Sequence, residues 1–392
     1  MIRSAPFRGA AAAIAAVAAL AGPARALVTL NDGTDKIYVS GTFSMGYDTN
    51  ISASSDNTSD MVTSASMSLQ YQRRAGLIGV NANVNFALSQ FLKNTTYNSL
   101  NPTYSIEFDK TTGRTTGTLN INAVRSSQTD AAVNLYTTSW NYTAGLNIHY
   151  PIIDRYSMAG SFTYGLLDYT QTSGQPLSNL STYASNLSLF YILSDERDLF
   201  LGSTYRVSQS SSNTSSTDEG LNVGIHGKVF WEFNGSLNVG YMVRKPQGVA
   251  DPEAPPLGSY HDITANASVN WNANRKLAFT GSLSKDFSTT ATDATTDTLA
   301  ASLDATYSVN ARLSAGTGIG GGETRFFGPG GLLAATNQER IDYYFTWNAS
   351  VSYSFSERLH ASLSYAYFKN WSNLGFATFV RNTLTLTLSS RW

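Results

Sequence analysis

Apolar and polar residues alternate with period two along nearly the whole chain, in runs of about 10 to 14 residues from residue 35 onward. Ile37, Val39, Phe43, Met45 and Tyr47 alternate with Tyr38, Ser40, Thr42 and Ser44. Ile78, Val80, Ala82, Val84, Phe86 and Leu88 alternate with Asn81, Asn83 and Asn85, and Leu221, Val223, Ile225, Val229 and Trp231 with Asn222, His226, Lys228 and Glu232. A helix would scatter these apolar positions around its circumference, whereas a strand gathers them on one face.

The connections between runs fall into two alternating classes. One is short: Arg74-Ala75-Gly76, Thr112-Gly113-Arg114, Pro151 to Arg155, Asp195 to Asp198, Asn234-Gly235, Asn272 to Lys276, Asn310-Ala311-Arg312 and Ser356-Glu357-Arg358. The other is long and polar: Asp48 to Asp60, Ser89 to Asn101, Gln171 to Asn179, Ser208 to Glu219, Lys245 to Ser259, Ser288 to Asp297 and Glu323 to Arg340. Tight turns on one rim and long loops on the other are expected of a meander closed into a transmembrane barrel. The spacing predicts an all-β, antiparallel up-and-down transmembrane barrel of about 18 strands, with 16 as the alternative count.

Composition sharpens this picture. Charged residues are 14% of the 392, aromatics 12%, and Cys is absent. A soluble protein carries roughly 25% charge, so a cytosolic enzyme is disfavoured. Without Cys there is no thiolate chemistry, disulfide or Cys-based zinc site. A net charge of −1 offers no polyelectrolyte attraction to nucleic acid. Residues 1–26 read as a secretory signal peptide: Arg3 and Arg8 precede an Ala/Val/Leu/Ile run that Pro23 ends, and Ala24-Arg25-Ala26 offers a small-x-small cleavage site. Residues 27–392 then form one exported barrel domain.

Each face has a chemical role in this reading. The aliphatic face meets lipid, with Tyr and Trp near segment ends as interfacial girdles. The other face, rich in Ser, Thr and Asn, walls a hydrated lumen. Its charges are sparse and gather mid-chain at Arg206, Lys228, Glu232, Arg244, Asp262, Asp286 and Asp304. They are candidates for a mixed-charge constriction, with ordinary cross-strand pairing as the blander alternative.

Catalytic chemistry finds little support: no catalytic residues, cofactor or metal site is expected. His149, His226, His261 and His360 sit on four segments without metal-like spacing, although three of them share the polar face. A rim hydrolase would need one of those three beside a serine. The glycine run Gly316 to Gly322 lacks the lysine of a phosphate loop and reads as a bend or bulge.

Two stretches resemble known families. Leu384, Leu386 and Leu388 with Trp392 resemble the C-terminal signal by which the barrel-assembly machinery recognises outer-membrane proteins. Gly46-Tyr47-Asp48-Thr49-Asn50-Ile51 resembles an element of the β-barrel porin 2 group, its distinctive residues here being Tyr47, Asp48 and Asn50. The resemblance implies a barrel in the outer membrane of a Gram-negative bacterium, with lipid and the assembly machinery as partners. It further implies a porin-like channel for small polar solutes or an accessory conduit in exopolysaccharide export. A non-conducting barrel serving as adhesin or docking platform is the alternative, and an outer-membrane hydrolase a weaker one.

Overall fold

The computed structural model describes residues 27–74, 76–130, 135–171, 177–248, 258–327 and 339–392. The signal-peptide expectation for residues 1–26 lies outside them. The elements in chain order are β1 (Val28–Leu30), β2 (Asp35–Asp48), β3 (Asp60–Arg73), β4 (Gly79–Phe91), β5 (Ser99–Lys110) and β6 (Thr116–Asp130). Next come β7 (Leu135–Ile153), β8 (Tyr156–Gln171), β9 (Leu180–Ser194), β10 (Arg197–Ser210), β11 (Ser215–Phe230), β12 (Phe233–Gln247) and β13 (Tyr260–Asn272). The last six are β14 (Leu277–Thr289), β15 (Thr295–Ser308), β16 (Leu313–Phe327), β17 (Arg340–Ser354), β18 (Leu359–Ser372) and β19 (Phe379–Arg391).

Every strand from β2 to β19 pairs antiparallel with its sequence neighbours, and β19 returns to β2 through Thr383↔Asp48 to Arg391↔Ser40. This closes an 18-stranded barrel in which each strand from β2 to β19 has a neighbour on both sides. Trp392 extends the closure by exchanging two backbone hydrogen bonds with Val39, at 2.7 and 2.9 Å. The short β1 is an element the periodicity does not foretell: it pairs Val28 to Leu30 with Asp35 to Ile37, continuing the edge of β2 past the end of β19.

Side-chain parity is kept around the ring, because directly paired residues share a face. On the inner face Ser44 pairs with Ser64, Ser68 with Asn85, Asn83 with Ser105, Asn122 with Thr143 and Asn186 with Thr204. The wall continues through Asn238 with Asn266, Ser282 with Ser302 and Ser364 with Thr385. The outer face is the reverse: Met67, Leu201, Leu221, Val223, Ile263 and Ile319 are each more than half exposed. So large an exposed apolar surface is stable only against lipid.

Polar landmarks bound the apolar band. On the long-loop side the outer face carries Tyr205, Tyr241 and Tyr343, then the ion pairs Lys245–Glu219 (2.7 Å) and Arg325–Glu323. On the short-turn side lie Tyr156 against Tyr191 and Trp271 against Phe233 and Phe279. Aromatic rims outside an aliphatic band are what an interfacial girdle requires.

Several local expectations change. Ser208 to Glu219 is not a long loop, since β10 runs to Ser210 and β11 starts at Ser215. The Ser288 to Asp297 connection shrinks likewise to Thr290–Ala294. The turn placed at Asn234-Gly235 falls earlier, at Trp231-Glu232, with Trp231 at φ +43°. Gly235 serves close strand approach instead, because a Cβ there would lie 1.8 Å from the Ser268 carbonyl oxygen. The Gly316 to Gly322 run is neither bend nor bulge: β16 pairs with β15 and β17 without a register shift.

Candidate functional site: the narrowed mouth of the barrel

Above Lys285, β14 parts from β13. Their pairing stops at Ala265↔Lys285, although β13 begins at Tyr260 and β14 continues to Thr289. β14 and β15 stay paired to the tip and swing into the lumen across the inner faces of β10 to β13. The tip reaches the segment before β9, where Ser178 N donates to the Ala291 carbonyl at 2.8 Å. Tyr260 stacks on Phe327 at 5.4 Å, so β13 and β16 meet where the hairpin has left the wall.

This fold inverts the local parity rule. Lys285, Phe287 and Asp297 occupy positions that would face lipid lower down, yet here they face the inner wall. Lys285 Nζ lies 2.6 Å from Asp262 Oδ2 and 3.7 Å from Asp297. Phe287 is buried beneath the Arg244 guanidinium, 5.9 Å from the ring centre.

Arg206 and Arg244 hold the hairpin in place. Arg206 Nε lies 2.6 Å from Asp218, its Nη1 lies 2.8 Å from Asp286, and its Nη2 donates to the Phe287 carbonyl at 2.7 Å. Arg244 contacts Asp218 at 3.0 Å and donates to the Ser288 carbonyl at 2.5 Å and to Thr289 Oγ1 at 2.9 Å. Two guanidinium groups and two carboxylates thus form a neutral latch spanning β10, β11, β12 and β14.

A second hairpin bends in from nearly the opposite wall. β5 and β6 pair only as far as Thr103↔Val124, while β6 continues to Asp130. Ser127 Oγ then donates across the inner face to Asn101 at 3.0 Å, Thr129 Oγ1 to the Ile51 carbonyl at 2.7 Å, and Tyr136 OH to the Tyr97 carbonyl at 2.9 Å. The mouth on the long-loop side is therefore narrowed from two sides.

The first long loop has an internal frame in Asp48 and Asn50. Asp48 accepts from Arg381 Nη2 at 2.6 Å, across the β2–β19 closure, and from Asn50 N at 2.9 Å. Asn50 is fully buried and donates to the carbonyls of Ser54 and Val380 at 2.8 and 3.1 Å. Tyr47 points outward and is half exposed. The remaining inner residues at this level include Arg340, Asp342, Tyr344 and Phe368, with Arg340 over Phe326 at 4.5 Å. Phe326 and Phe327 are described, but residues 328–338 of that loop lie outside the described residues.

Of the charges singled out by sequence, Arg206, Arg244, Asp262 and Asp286 meet at the hairpin. Asp304 faces the lumen lower down, and Lys228 lies at the turn-side rim, 3.1 Å from Glu196. Glu232 is corrected: it occupies the β11–β12 turn and accepts from outward-facing Trp271 Nε1 at 3.2 Å, because the strand ends before reaching it. Asp218, Lys285 and Asp297 escape the sequence reading, Asp218 and Asp297 because they lie in stretches read as loops and Lys285 because it has lipid-side parity.

The histidines stay dispersed. His149 lines an inner-wall recess of about 480 Å³ with Thr118, Asn147 and Ser161. His226 Nδ1 is 4.0 Å from Asp198, and His360 Nδ1 is 2.9 Å from Ser354 Oγ. His360 meets the proximity to serine that a rim hydrolase needs, but its pairing is with the adjacent strand and the His226–Asp198 contact lies on other strands. His261 faces outward against Tyr241. Among the described residues no group of three or more acidic or imidazole side chains is placed to hold a metal ion.

Solved structures place the architecture. OccK2 (OpdF) from Pseudomonas aeruginosa superposes with a TM-score of 0.50 at 10% identity, covering 91% of this chain and 97% of that one. The outer membrane protein opdK from the same organism gives 0.46 at 12% identity over 91% and 99%. The FrpB iron transporter from Neisseria meningitidis gives 0.47 at 9% over 90% and 81%. At such identities the likeness concerns the fold alone. No curated protein matches the sequence. Residues 215–391, from β11 through β19, match the family described as "Putative beta-barrel porin 2", so this chain is a porin-like β-barrel resembling that family.

Proposed function

We propose that the protein is a passive channel for small polar solutes in the bacterial outer membrane. The observation that carries this reading is an inner wall made mostly of Ser, Thr and Asn, paired strand to strand around a barrel whose outer face is apolar. Small hydroxyl and amide groups leave the centre of an 18-stranded barrel to water. The two inward hairpins set the width of the mouth and hence the size of solute admitted. The mechanism is diffusion through that mouth, with uncharged hydrogen-bonding groups replacing part of a solute's hydration.

The test is reconstitution of the purified protein in planar bilayers. Discrete conductance steps are expected, and their absence would favour the barrel as adhesin or docking platform. Residues 1–26 are proposed to be cleaved on export, which N-terminal sequencing of the membrane form checks. A role beside exopolysaccharide export rests on the family resemblance. It predicts that deleting the gene lowers secreted polysaccharide without lowering its synthesis.

A further inference from the structure

We infer that the lumen prefers cations, and that Glu107 and Asp304 determine this preference; the inference rests on the channel reading above. The reason is the way charge is disposed on the inner wall. In the upper barrel four arginines are matched by acids, Arg206 and Arg244 by Asp218 and Asp286, Arg381 by Asp48, and Arg340 by Asp342, while Arg125 on β6 donates to the Leu100 carbonyl. The pairs are compact, and the latch is neutral as a unit, so its field beyond a few ångströms is small.

Below the latch two carboxylates face the lumen without such a partner. Asp304 on β15 and Glu107 on β5 are both exposed, and neither lies within 4.0 Å of a cationic group among the described residues. They stand at nearly the same level, Asp304 four residues from the turn-side end of β15 and Glu107 three from that of β5. Ten strand steps of the eighteen separate them, so they look at each other from nearly opposite walls.

The wall is shaped to leave Asp304 in place. Its partner across the strand pair is Gly318, and its Oδ1 would be 2.0 Å from a Cβ built there. The carboxylate therefore lies over bare backbone, where any larger residue would displace it. The turn-side rim beneath carries charges of both signs: Lys36 and Arg391 near the closure, Arg74 in a recess that Glu107 and Asp109 also line, and Asp198 with the Lys228–Glu196 pair elsewhere. Arg391 is tied to Gln70 at 2.9 Å and lies over the Tyr38 ring. With the rim mixed and the latch neutral, the unpaired pair sets the sign of the interior potential, which concentrates cations and thins anions.

The experiment is the reversal potential of single channels under a potassium chloride gradient, for the full-length protein and for the double variant Glu107→Gln/Asp304→Asn. Wild type is expected to favour potassium over chloride, and the variant to shift towards no preference with conductance steps retained. Anion preference in wild type, or an unchanged reversal potential in an open double variant, would overturn the inference while leaving the channel. Absence of steps in wild type would instead remove the channel reading, and this inference with it. As a check on folding, both proteins should show the same heat-dependent shift in gel mobility.

Discussion

Arg244 and Asp218, both fully buried, meet at 3.0 Å where the β14–β15 hairpin closes on the inner wall. The contact is an ion pair by distance and not an aligned hydrogen bond, since Arg244 Nε and Asp218 Oδ1 find no properly directed partner. Its strength comes from mutual neutralisation, with Arg206 on the other carboxylate oxygen completing the arrangement.

Removing the shared carboxylate should release the hairpin. Asp218→Asn leaves Arg206 and Arg244 with Asp286 alone, and breaking one partner of a buried pair costs about 3–5 kcal/mol. Limited proteolysis is expected to cut the variant within residues 285–297 much faster than wild type, with larger and noisier conductance steps. Equal cleavage rates would argue against a latch.

The docked position can be fixed covalently. The chain has no cysteine of its own, so Ser178→Cys/Ala291→Cys introduces a single possible pair where two backbones already share a hydrogen bond. Paired backbones bring Cα atoms within the roughly 4.4–6.8 Å a disulfide needs. Oxidation should give an intramolecular bridge and leave conductance at the wild-type level. Failure to bridge in the folded barrel would show that the tip rests elsewhere.

The glycine strand should tolerate no bulk on its inner face. Gly318→Leu forces the Asp304 carboxylate off the wall and adds a side chain to the lumen. Retained heat-modifiable mobility with a clearly smaller single-channel conductance is expected. Unchanged conductance would mean the lumen at this level does not limit flow.

Parity itself can be tested with one pair of neighbours. Val223 faces out and is more than half exposed, whereas Asn222 faces in between Gly202 and Gly240. Val223→Arg should lower stability by about 2–4 kcal/mol, as expected for arginine on the lipid face near mid-bilayer. Asn222→Arg should fold normally and weaken cation preference. Detergent unfolding curves and reversal potentials separate the two.

The closure at the first loop should matter for assembly. Arg381→Ala strands Asp48, which is 6% exposed, across the β2–β19 seam and loosens the loop that Asn50 braces. A slower approach to the heat-modifiable form on refolding is expected, and wild-type kinetics would assign the pair no part in closure.

The alternation of residues such as Leu221 and Asn222 determined the architecture unaided. Lipid outside and water inside impose period two on every strand, and that period is written locally. The short turns also showed in sequence, although Asn234-Gly235 misled, because glycine serves close strand approach as well as turns. The motif at Tyr47, Asp48 and Asn50 was visible, but not its reason: Arg381 lies 333 residues away along the chain. The latch was less legible still. Arg206 and Asp286 are 80 residues apart, and Lys285 carries lipid-facing parity that holds only while β14 stays in the wall. Where the hairpin leaves β13, local pattern no longer tells inside from outside, and only the closed ring decides which surfaces meet.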